Sequence, residues 1–129
     1  MGYSYSKDIK LNFADTEDKV KLALMDVGFG ILTEINIKDA FKSKLNLDYK
    51  NYKILGACNP KLAHEALDNE SLIGILMPCN ILVIENEKQI TKIVFPNAKN
   101  LLEITNNSLI NELALKVDHL LKSAFDSIK

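Results

Sequence analysis

The chain has no arginine and no tryptophan, and only two cysteines, three prolines and five glycines among its 129 residues. Arginine supplies the planar fork that reads carboxylates, phosphates and guanine edges bidentately, so its absence argues against nucleic acid as a partner. All sixteen basic residues are lysines, mixed among seventeen acidic ones to a net charge of −1. No lysine-dense stripe is present that would release counterions from a phosphate backbone. Long apolar runs are also missing. Leu72–Met77 is among the longest, far short of the ~20 residues that span a bilayer, so no membrane partner is expected. Met1–Ser6 holds no apolar stretch suited to a signal peptide, which leads us to expect a cytoplasmic protein. In that compartment two cysteines are thiols rather than a disulfide.

Catalytic signatures are equally scarce. No G-x-G-x-x-G, Walker loop, G-x-S-x-G or H-E-x-x-H occurs. Cys58 and Cys79 stand twenty-one positions apart and neither belongs to a C-x-x-C pair, so no metal site is expected and no cofactor can be named.

What is present is the composition of an ordinary globular protein, 47% hydrophobic and 26% charged, long enough for one domain over residues 1–129 with a real core. Tyr3–Leu11 reads as a partly exposed strand. Asp15 or Thr16 then caps a helix whose stripe is Val20, Ala23, Leu24 and Val27, and Gly28 ends it. Phe29–Ile37 alternates as a strand, with Ile31, Thr33, Ile35 and Ile37 on one face and Leu32, Glu34 and Asn36 on the other. A short amphipathic helix through Ala40, Phe41 and Leu45 follows, then a strand at Tyr52–Cys58. Asn59-Pro60 is a helix start, an N-cap followed by proline at the first helical position.

Cys79–Ile84 is apolar on both faces, which marks a central strand, and Asn86-Glu87-Lys88 turns it into a hairpin with Gln89–Phe95. Pro96–Thr105 is irregular or a brief helix. A long helix capped near Asn107-Ser108 closes the chain, with a stripe from Leu109 to Ile128 broad enough to lie across a sheet. The order β-α-β-α-β-α-β-β-α predicts an α+β two-layer sandwich, its sheet mixed or antiparallel and its helices mainly on one face.

Chemistry concentrates between Gly56 and Asn80. Two Cys-Asn pairs, Cys58-Asn59 and Cys79-Asn80, lie at element boundaries beside Pro60 and Pro78. A thiol one residue before a helix cap can have its pKa lowered by the helix dipole, which makes Cys58 the candidate nucleophile. If buried in apolar surroundings instead, it is inert. His64 stands one turn into the same helix, toward its polar side. Glu34 either faces solvent on an uncovered sheet face or lines the same cleft. The candidate ligand-binding set is therefore Glu34, Cys58, Asn59, His64, Cys79 and Asn80, against a plain reading of buried thiols, an N-cap and a solvated histidine.

The run Tyr52-Lys53-Ile54-Leu55-Gly56-Ala57-Cys58-Asn59-Pro60, with Ala63-His64, Ala66-Leu67 and Gly74-Ile75-Leu76-Met77-Pro78-Cys79-Asn80, resembles the core of domain-of-unknown-function family 302. Gly28–Ile35 resembles that family's early strand. The resemblance implies a small α+β domain, homodimeric and prokaryotic, and carries no reaction with it. Three functions compete. The first is a homodimeric binding module with a polar, thiol-lined pocket for a small-molecule ligand. The second is a thiol enzyme or redox protein using Cys58 with Cys79 or His64, and the third a protein that acts only through its surface.

Overall fold

The computed structural model describes residues 2–129. Five strands form one antiparallel sheet: β1 (Ser4–Ile9), β2 (Gly30–Asn36), β3 (Tyr52–Cys58), β4 (Cys79–Glu87) and β5 (Ile90–Pro96). Their order across the sheet is β1-β5-β4-β3-β2, so β4 is central, as its two apolar faces predict. The hairpin is present, Leu82 pairing with Val94 and Val83 with Ile93. The helices are α1 (Phe13–Asp26), α2 (Ile37–Leu45), α3 (Pro60–Asn69), α4 (Ala98–Leu102) and α5 (Ser108–Ser127), with short 3₁₀ turns at Ile73–Leu76 and Glu103–Thr105. This is the α+β sandwich the element order implies.

Each of these five α-helices is N-capped by asparagine. Asn12, Asn36, Asn59, Asn97 and Asn107 all accept a hydrogen bond from a backbone N–H of the first turn, which satisfies a donor the helix cannot. The cap of α1 therefore lies three residues before Asp15. Thr16 is buried instead and donates its hydroxyl to the Asn12 carbonyl at 2.8 Å. Gly28 ends α1 with φ +87°, a conformation in which a Cβ is strained.

One face of the sheet makes the core. Leu55, Ile81, Val83, Ile93 and Phe95 pack under Val20 and Leu24 of α1 and Leu121 of α5, all fully buried. Tyr5, Phe95 and Phe125 form an edge-on aromatic group at one side, Tyr5 and Phe125 4.8 Å apart between centroids. A smaller cluster of Ala66, Ile73, Ile110 and Leu113 joins α3, the first 3₁₀ turn and α5.

The opposite face is organised in rows by the register. Thr33, Gly56 and Asn80 lie in line, and by the same alternation Pro96 and Ser4 extend that row. Ile35, Ile54, Leu82, Val94 and Ser6 form the next, and Tyr52, Ile84, Lys92 and Asp8 a third. Of all these residues only Gly56 is buried. Helix α2 sits beside β2 and β3 and buries none of its own residues.

The alternation expected for β2 holds only from Thr33 onward. A bulge between Ile31 and Thr33 adds a residue, so Ile31 pairs with Ala57 on the covered face while Thr33 and Ile35 stand on the open one.

Candidate functional site

The two Cys-Asn motifs meet at one end of the sheet, where β3 ends and β4 begins. Ala57 pairs with Cys79 and Cys58 with Gly30, so the two cysteines stand on neighbouring strands, one position apart. Both cysteines are free thiols. Both contribute to the wall of a small cavity of about 60 Å³ between the sheet end, α3 and α5. Burial raises the pKa of the Cys58 thiol, and burial with Cys58 nearby pushes Cys79 up to about 11. Neither thiol has the lowered pKa of an activated nucleophile. At Cys58 burial is the cause of the shift, and at the adjacent start of α3 the Asn59 side chain accepts the Leu62 N–H at 3.1 Å.

The two asparagines differ in use. Asn59 is occupied in capping, and its Nδ2 lies where a Cβ on Gly28 would come within 3.0 Å. Asn80 is exposed on the open face. Beside it, a Cβ on Gly56 would overlap Thr33 Oγ1 and stand 2.8 Å from Pro78 Cγ, so Thr33 and Pro78 close over the glycine.

His64 and Glu34 belong elsewhere. His64 keeps 79% of its side chain in solvent, its Nε2 3.5 Å from Asp68 Oδ2 one turn along α3. Glu34 shares the covered face with Leu55, at the sheet edge. There its carboxylate meets Lys21 at 3.0 Å and Lys53 at 3.8 Å, while Glu17 meets the same lysines at 2.8 and 3.0 Å. Burial opposes the charge of Glu17, but hydrogen bonds from Lys21 and Lys53 outweigh it and hold the carboxyl below its ordinary value. This quartet is an ion-pair network bracing α1 against β2 and β3. Of the six sequence candidates, then, Cys58, Asn59, Cys79 and Asn80 gather at the sheet end, and Glu34 and His64 do not join them.

A larger cavity of about 320 Å³ adjoins Asn80. Leu82 and Val94 of the second row form part of its lining, with Pro96 and Ser4 from the first. One side is the segment Ile75–Pro78, which includes a cis Met77–Pro78 peptide, and the other is Leu101 and Leu102 of α4. Sequence reasoning pointed to Asn80 and Cys79 but missed Leu82, Val94 and the flanking leucines. The available signal was the second apolar face of β4, which a two-layer fold leaves without a helix.

Among the described residues, no group of three or more His, Cys, Asp or Glu side chains is placed to hold a metal ion. Nor, among them, is any helix long and apolar enough to cross a membrane.

A family model described as Domain of unknown function DUF302 matches residues 5–128. The chain belongs to this family. The crystal structure of an uncharacterized conserved protein DUF302 from Bacillus stearothermophilus is similar over 100% of both chains, with 26% identity and a TM-score of 0.90. No curated protein matches the chain. The family is thus the one that the two Cys-Asn motifs resemble in the sequence, and the DUF302 fold is the five-stranded sheet with one covered face described above.

Proposed function

We propose that this DUF302 chain is a small-molecule-binding module that works as a homodimer in a prokaryotic cytoplasm. The observation that carries the reading is the cavity of about 320 Å³ beside Asn80, at the small end of the ~300–1,000 Å³ typical of ligand pockets. Its lining has the composition such pockets share, an apolar surround with a few polar groups at Asn80 and Ser4. The raised pKa values of both thiols favour binding over nucleophilic or redox chemistry.

The dimer reading is supported by the open face. Five strands ~4.8 Å apart, with three rows ~6.8 Å apart, present roughly 500 Å². Two such faces stacked together bury roughly 1,000 Å², the lower bound for a specific interface. Ile35, Ile54 and Ile84, which lie on this face outside the cavity, supply an apolar centre. Lys92 and Asp8, adjacent and opposite in charge on one row, suit a contact in which each face meets its own copy.

Native mass spectrometry of freshly purified protein tests both halves. The expected result is a species at twice 14.5 kDa carrying a small-molecule adduct. A bare monomer whose Leu82 and Val94 methyl resonances respond to no added fragment counts against the reading.

A further inference from the structure

We infer that the ligand of the cavity beside Asn80 is an uncharged molecule, with an apolar body and one neutral hydrogen-bonding group directed to the Asn80 amide. This inference rests on the binding reading above and names its ligand class.

About a quarter of the chain is charged, 26% of its residues, yet no charged side chain is found among the described residues that line this cavity. Such an absence in a lysine- and glutamate-rich protein is a property of the site and not of dilution. The ion pairs lie elsewhere, in the quartet around Glu17 and on the surfaces of α2 and α3. The polar side chains at the cavity are the Asn80 amide, the Ser4 and Tyr3 hydroxyls and the Cys79 thiol, with no carboxylate or ammonium among them. A carboxylate or ammonium brought among these side chains would give up part of its water without meeting an opposite charge, whereas a neutral amide or hydroxyl exchanges that water for Asn80. Charge complementarity therefore selects against ions of either sign. An apolar body suits Leu76, Leu82, Val94, Leu101 and Leu102, whose methyl groups line the cavity beside the rings of Tyr3 and Phe95.

The test uses three probes with one tail: octanamide, octanoate and octylammonium at pH 7. Each is titrated against the whole protein while the methyl resonances of Leu82, Val94 and Leu101 are followed by NMR. Octanamide is expected to bind at least ~10-fold more tightly than either ion, the direction set by the larger cost of burying an unpaired charge. Equal binding of all three, or tighter binding of an ion, overturns the uncharged class and leaves the cavity as a binding site. Silence from all three probes overturns the class and the binding reading together. Asn80→Asp, a change at an exposed position, gives the second arm. It is expected to raise octylammonium affinity and weaken octanamide. An unchanged octylammonium affinity overturns the placement of the polar group at Asn80.

Discussion

The two faces of the sheet are built from the same strands and treated in opposite ways. On one, Leu55, Ile81, Val83, Ile93 and Phe95 vanish beneath α1 and α5. On the other, Ile54, Leu82, Ile84 and Val94 are as apolar by sequence but only half-buried, and Ile35 is 49% exposed. Aliphatic side chains in the middle of a sheet are stabilised by losing water. A row of them that the chain leaves uncovered makes sense when something else covers it, which is why the open face carries the functional reading.

The largest expected effect separates the faces directly. Leu55→Ala should cost about 2–5 kcal/mol by equilibrium denaturation, because it opens a cavity in a closed core. Leu82→Ala should cost about 1 kcal/mol in the dilute monomer, where its site is already open to water. It should also weaken ligand binding at the cavity that Leu82 lines. Equal losses at the two positions would erase the distinction between a core face and a contact face.

The next effect is a pH dependence at the edge of the covered core. The Cys79 thiol goes from an ordinary 9.0 to about 11 in the folded chain. A pKa raised by folding means that the native state holds the proton more tightly. The stability it contributes is therefore full below about pH 9 and is lost as pH climbs toward 11. The slope approaches ~1.4 kcal/mol per pH unit between those limits. Cys79→Ala should flatten the stability profile in that window, and an unflattened profile would place the thiol in water. With the chain folded, Cys58 should be alkylated before Cys79, and both more slowly than a free thiol.

The two asparagines give a sharper contrast at smaller magnitude. Asn59→Ala removes the cap of α3 and should cost ~0.5–2 kcal/mol. Asn80→Ala should stay within ~0.5 kcal/mol while lowering ligand affinity, a split readable by pairing thermal melts with titrations. Similar melting losses at both would make Asn80 structural. Smallest of all is Tyr5→Phe. The Tyr5 hydroxyl is buried and finds no hydrogen-bond partner among the described residues, so its removal should change stability by no more than ~0.5 kcal/mol or raise it slightly. A large loss would reveal a partner such as a bound water.

Local chemistry in the sequence was sufficient for much of this molecule. Asn59-Pro60 starts α3, Tyr52–Cys58 is β3, the Cys79–Phe95 region is a hairpin and Asn107 caps α5, because each depends on neighbours a few residues away. His64 also falls in solvent as its helical position implies. Three things depended on the tertiary structure. The bulge at Ile31–Thr33 sends Ile31 to the covered face, since a one-residue slip is set by the partner strand and not by the sequence alternation. Glu34 joins Lys21 and Lys53, contacts that span α1, β2 and β3 and leave no periodic trace. The cavity beside Asn80 needs Ile75–Pro78 and Leu101–Leu102 to flank two strands. Three stretches of the chain, 3–4, 75–82 and 94–102, meet there, and their meeting follows from how the strands and helices pack at the end of the sheet, a long-range choice that no local pattern encodes.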